Sequence, residues 1–190
     1  MLKTLQSIFH EHERVAKESF SLEQCTILEK IGNELYNAFK KGNKILLCGN
    51  GGSAADSQHI AAEFIVRFKR ERKSLPAIAL STDTSVLTAT ANDYNYDVVF
   101  SRQIEGLGAK GDVLIAISTS GNSPNILAAV RAAKSLNMKT VGFTGGSGGK
   151  LVDLVDLCFV ASSKKTPHIQ EMHITALHAI SEAVEDKLFS

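Results

Sequence analysis

The chain has 190 residues, 44% of them apolar, and its 21 Lys and Arg nearly balance its 20 Asp and Glu for a formal charge of +1. That length suits one compact domain over residues 1–190 with its own core and no separate cofactor domain. The balance excludes both a clustered basic nucleic-acid footprint and a disordered polyelectrolyte, and no apolar run approaches the ~20 residues a membrane helix needs.

The charged N-terminus has no signal-peptide core, and three scattered cysteines, Cys25, Cys48 and Cys158, suit a reducing cytoplasm better than a disulfide framework. Leu2, Leu5, Ile8 and Phe9 recur at helical spacing, as do Leu28, Ile31, Leu35 and Phe39. They predict two helices within residues 1–42, broken near Ser19 to Ser21 and stopped at Gly42-Asn43. Five short apolar runs follow: Lys44 to Cys48, Ala77 to Leu80, Val113 to Ile117, Thr140 to Phe143 and Leu157 to Val160. Continuous apolar strands alternating with helix-like stretches imply a parallel sheet covered on both faces. The fold expected is α/β, three-layered and doubly wound, with a central five-stranded parallel sheet, N-terminal helices and a long C-terminal helix from about Pro167 to Leu188.

Ligands of such sheets bind beyond the carboxyl ends of the strands. The first strand is followed by Gly49-Asn50-Gly51-Gly52-Ser53, and Ser53 with Asp56 resembles a capping box. The loop reads as a tight strand-to-helix turn or as an anion or sugar site; it lacks both the dinucleotide glycine spacing and the P-loop ending, so no nucleotide is expected. The third run leads into Ser118-Thr119-Ser120-Gly121-Asn122-Ser123-Pro124, where Ser at the cap and Pro at the first turn start a helix. Free N–H groups and several hydroxyls there make a phosphate cradle without Lys or Arg, against the plainer reading of a Ser/Thr-rich turn. Thr144 to Gly149 is either a lid or a turn and receives no role.

His59 and Glu63 share a face of the helix after Ser53, and Glu63 lies among Ala61, Ala62 and Phe64, surroundings that suit a general base. Considered alone, the pair reads as an ordinary solvated polar contact rather than a site. Gln170, Glu171, His173 and His178 sit on the last helix; Glu171 is seven residues from His178 and closely aligned, whereas Gln170 is eight away and roughly 80° round. These types suit a divalent metal, but no spacing is diagnostic, and surface or core histidines are commoner. Asn92-Asp93 closes a helix-like stretch in a manner that local turn chemistry also explains. His10 and His12 read as solvated, and Lys69 to Lys73 as a mixed surface face.

Together, CGNGGSAADSQHIAAE, LSTDTSVLTATANDY, GDVLIAISTSGNSPN and IQEMHITALH resemble the phosphoheptose isomerases, a sugar-isomerase (SIS) domain family, over nearly the whole chain. The resemblance implies a homotetramer with active sites shared between subunits, residues 1–42 packing in the oligomer, and isomerisation of sedoheptulose 7-phosphate through an enediol. By motif, Glu63 is the base and His178 its partner acid or base; His59, Glu63, Gln170 and His178 hold one zinc ion per subunit. Ser118, Thr119, Ser120 and Ser123 take the phosphate, while Asn50, Gly51, Gly52, Ser53, Asn92 and Asp93 line the sugar site. The chain departs from the family at Pro167-His168, where Arg is frequent, and at Lys164 and Lys165, where acidic residues are frequent. The alternative is a non-catalytic scaffold of the same fold that binds the replication initiator DnaA. In that relative the positions of Glu63 and His178 are not acid-base residues.

Overall fold

Each of the five apolar runs is a strand in the computed structural model, which describes residues 1–190. The chain begins with α1 (Leu2–Ser19) and α2 (Leu22–Lys40), separated by Phe20 and by Ser21, whose hydroxyl accepts from the Gln24 amide. Then come β1 (Ile45–Gly49), α3 (Gly52–Ile65), β2 (Ala77–Ala79), α4 (Thr84–Asp93), a 3₁₀ turn (Tyr96–Val98) and α5 (Ser101–Leu107). The second half is β3 (Val113–Ile117), α6 (Pro124–Ser135), β4 (Lys139–Gly145), the short α7 (Leu151–Leu154), β5 (Leu157–Ala161) and α8 (Thr166–Phe189). No helix is long and apolar enough to cross a membrane.

All strands pair in parallel, in the order β2-β1-β3-β4-β5. The strands are apolar throughout because both faces are covered. Ile45, Leu47, Val113, Ile115 and Ile117 point to one side, against Ile31 and Leu35 of α2, Ile60 and Phe64 of α3, and Leu177 and Ile180 of α8. Leu46, Cys48, Leu114 and Ala116 point to the other, against Phe100, Ile104, Ile126 and Val130. Burying each aliphatic side chain contributes about 1.5–3 kcal/mol, so the two-sided core dominates the stability. β2 is one residue shorter than the apolar run suggests, with Leu80 outside the strand.

The strand order reverses direction between β1 and β3. Connections leave to opposite faces there and open a crevice at the carboxyl ends of the strands. The loops after β1 and β3 border it.

Candidate active site

The β1–α3 turn is built on glycine. A Cβ on Gly49 would lie 2.4 Å from the Ser53 carbonyl oxygen, and Gly51, at φ +55°, caps α3. Asn50 and Asn125 exchange amide hydrogen bonds of 3.0 and 2.8 Å, tying this turn to the start of α6. Beside it, the Ser118 and Ser123 hydroxyls are 3.0 Å apart. Asn50, Gly51, Gly52, Ser53, Ser118, Thr119, Ser123, Thr166 and Gln170 line a pocket of about 290 Å³ together with Ile117.

The first residues of three helices meet in this pocket: Gly52 of α3, Ser123 before α6, and Thr166 of α8. Helix N-termini carry unsatisfied N–H groups and a partial positive charge. The Thr119, Ser120 and Ser123 amides donate to no backbone carbonyl. The lining includes no Lys or Arg. Backbone donors and hydroxyls in this arrangement suit an anion.

The glycine-rich segment after β4 buttresses the cradle. Gly145 N–H donates to the Thr119 carbonyl at 3.2 Å, and Leu151 N–H donates to that of Gly121 at 3.0 Å. Lys150 N–H donates to the Asn122 side-chain oxygen. Gly121 has φ +65°, and a Cβ there would sit 1.9 Å from the Gly148 carbonyl oxygen. Thr144, Gly145, Gly148 and Gly149 are thus a close-packed support, with Gly146 and Ser147 exposed, a role the glycine count alone did not reveal.

A second group lies farther along α3. α3 and α8 run side by side in the same direction, matched at Gly52 with Gln170 and at His59 with His178. A Cβ on Gly52 would fall 2.5 Å from Gln170 Nε2, so glycine lets that amide rest on the backbone. Two turns on, His59 Nε2 is 3.1 Å from Glu63 Oε1 and 2.9 Å from His178 Nε2. Phe68 stacks on the His178 ring at 5.6 Å between centroids. Burial holds the His178 imidazole below its usual range, and His59 adds to this while Glu63 opposes it. Glu63 is partly exposed, facing the two imidazoles rather than an apolar enclosure.

Asn92 and Asp93 end α4 on the exposed surface, bonded to each other at 2.9 Å and outside the pocket lining. Ser120 is exposed, and its hydroxyl accepts from the Asn122 amide. His173 is buried in the core with Nε2 2.9 Å from the Thr144 carbonyl, far from metal duty. Glu171 turns to His12 and His168, so His12 is not simply solvated. The Ser53–Asp56 capping box does not form: Gly51 is the cap, Ser53 is buried, and Asp56 Oδ2 is buried without a partner. Ser123 caps α6 by position, but no backbone amide bonds its side chain, which faces Ser118.

The charged run at Lys69 to Lys73 is not a uniform surface face. Arg72 and Glu185 form an ion pair at 2.9 Å with side chains 1% and 2% exposed. Glu185 also accepts from the Phe68, Lys69 and Arg70 amides. Arg72 donates to the main-chain carbonyls of Glu63 and Phe64, both at 2.7 Å. This clamp seats the carboxyl end of α3 and the Phe68 ring. Its members are missed from sequence because Arg72 sits in a highly charged stretch, far along the chain from its partner.

The sequence profile of the SIS domain matches residues 9–145. A phosphoheptose isomerase of Roseiflexus sp. is 58% identical over 166 residues, covering 87% of this chain and 84% of that protein. The structure of phosphoheptose isomerase GmhA from Neisseria gonorrhoeae superposes with a TM-score of 0.90 at 39% identity, covering 97% and 98% of the two chains. That of a phosphoheptose isomerase from Francisella tularensis gives 0.94 at 33% identity with the same coverage. On sequence, fold and coverage alike, the chain belongs to the phosphoheptose isomerases, an enzyme family of the SIS domain.

Proposed function

We propose that the chain converts sedoheptulose 7-phosphate to D-glycero-D-manno-heptose 7-phosphate through an enediol, in bacterial heptose biosynthesis for lipopolysaccharide or capsule. One observation carries this reading. An anion pocket made of helix N-termini lies two turns along α3 from His59, which faces the Glu63 carboxylate and the His178 imidazole. Two turns span about 10 Å, close to the reach of a seven-carbon sugar from its phosphate to its carbonyl.

The phosphate rests on Ser118, Thr119, Ser120 and Ser123 and holds the reacting carbons in place. Asn50, Gly51, Gly52, Ser53 and Gln170 contact the sugar, with Asn92 and Asp93 at its outer side. Glu63 takes the proton from C1 and returns it to C2, work that a positioned carboxylate speeds by about 10²–10⁴-fold. His178, whose imidazole burial holds below its usual range, carries protons between the sugar oxygens and helps to open the ring. Arg72 holds the Glu63 backbone by its carbonyl, so the carboxylate stays aimed.

The donor set fits a divalent cation. His59, Glu63 and His178 offer ligand atoms within 4.8 Å of one another, and the two imidazole Nε2 atoms face each other at 2.9 Å with the Glu63 carboxylate 3.1 Å from that of His59. These three are the residues that would hold zinc; Gln170, the fourth donor the resemblance implies, rests on Gly52 two turns away. Zinc bound there supplies Lewis-acid stabilisation of the charge that develops on the substrate oxygens. Chelation is expected to lower the rate and added Zn²⁺ to restore it; a chelator-treated, metal-free protein with undiminished rate contradicts the metal assignment. The same reading takes residues 1–190 as one domain working in the cytoplasm as a homotetramer with shared sites, residues 1–42 packing between subunits. The exposed Leu2, Leu5, Ile8 and Phe9 of α1 support that assembly.

Kinetics on sedoheptulose 7-phosphate test the proposal. Glu63→Gln is expected to lower kcat by at least about 10²-fold with an unchanged melting temperature. Full activity in that variant removes Glu63 as the base.

A further inference from the structure

A second group of metal-ligating side chains lies outside the site just described. His168 and Glu171 are one turn apart at the start of α8, and His12 reaches them from α1. Glu171 Oε2 is 2.7 Å from His12 Nδ1 and 3.1 Å from His168 Nδ1. All three donor atoms lie within 4.8 Å of one another. Glu11 stands next to them, its carboxylate 3.9 Å from His168 Nε2 and paired with Lys165.

We infer that His12, His168 and Glu171 form a second divalent-metal site, which staples α1 to the first turns of α8. The donor set is two imidazoles and a carboxylate, a combination that takes Zn²⁺, Co²⁺ or Ni²⁺. A tetrahedral centre with bonds of about 2 Å sets neighbouring ligand atoms about 3.3 Å apart, close to the 3.1 Å between Glu171 and His168, while the 2.7 Å between Glu171 and His12 must open by roughly half an ångström. A His and a Glu three residues apart on one helix share a face, so two of the ligands are pre-arranged by α8 itself. His168 is 7% exposed, whereas His12 and Glu171 are about half exposed, at 41% and 47%, so the site has a fixed floor and an open mouth for a solvent ligand.

The site also has a structural task. α1 buries only Val15 and Ser19 and is otherwise mostly exposed, so few contacts hold its first half. A metal bridge at His12 fixes the middle of α1 to α8. Its anchor, Glu171, is the immediate neighbour of Gln170 in the pocket. The inference does not depend on the zinc assignment at His59, Glu63 and His178.

The test is a count of bound Co²⁺ per chain in proteins that separate the two sites. In His59→Ala, one equivalent is expected to remain, with the visible absorption of a tetrahedral Co²⁺ centre. Combining His59→Ala with either His12→Gln or His168→Gln is expected to remove that equivalent and its absorption. Excess Zn²⁺ is expected to raise the melting temperature of His59→Ala by about 5 °C or more at a hundredfold excess over Kd, and to leave the double variants unmoved. His12→Gln alone is expected to keep wild-type turnover. The inference is overturned if His59→Ala binds no Co²⁺, or if the folded double variants, checked by circular dichroism, bind as much as it does. The three side chains are then a hydrogen-bonded clip only.

Discussion

His173 shows what burial does to a single residue here. It lies among Phe143 and Phe159 with Nδ1 unpartnered, and burial pushes its pKa from the usual 6.5 down to about 4, against the hydrogen bond to Thr144. The unfolded chain therefore takes up the proton first. This contribution to stability is complete above pH 6.5 and declines as pH falls towards 4, by at most about 3 kcal/mol. Urea unfolding at pH 7.5 and 4.5 is expected to show a smaller acid loss in His173→Leu than in the wild type; an equal loss contradicts the assignment. Gly52→Ala is a second residue-scale prediction. The added methyl meets the flexible end of Gln170, so the fold is expected to survive while the sugar site is disturbed. KM for the sugar phosphate should rise severalfold with little change in melting temperature. Helical arithmetic aligned Glu171, not Gln170, with His178; the structure turns Glu171 to His12 and His168, because side-chain direction follows partners on other elements that one helix cannot reveal.

Among the elements, strands and loops were the most legible. Val113 to Ile117 is apolar at every position, and Ser123-Pro124 starts α6 at the place the pair predicts. What the sequence hid was support between elements. The Gly145 to Gly149 segment has meaning only against Gly121, and Arg72 only against Glu185. Gly121→Ala combines a left-handed backbone with a clash against a carbonyl oxygen, so it is expected to destabilise the protein by more than about 2 kcal/mol and to weaken phosphate binding. Arg72→Met leaves the buried Glu185 without its cation. A loss of about 3–5 kcal/mol is expected, with a lowered kcat because the Glu63 carbonyl loses its donor. A denaturation curve and a turnover assay on each variant check both statements, and wild-type values in both would refute the clamp.

Across the whole molecule, the parallel sheet decides where chemistry takes place. Its order reverses between β1 and β3, and the pocket of helix N-termini fills the crevice made there. The sequence places the start of α8 near Pro167 but not at the pocket, because Thr166 is brought there only by the path of the chain after β5. The two turns of α3 between this pocket and His59, beside the Glu63 carboxylate, then suit the length of the proposed sugar phosphate. Assembly belongs to this scale as well. Replacing Ile8 and Phe9 of α1 with Glu is expected to reduce the molar mass seen by light scattering below that of four chains. The most direct measurement of the central claim is sedoheptulose 7-phosphate turnover by purified protein in D₂O, followed by NMR with and without added Zn²⁺. The account predicts an aldose heptose 7-phosphate with solvent deuterium at C2 and no product from Glu63→Gln. A folded protein that forms no aldose under either metal condition would contradict it, and a DnaA-binding scaffold would then be the reading to test.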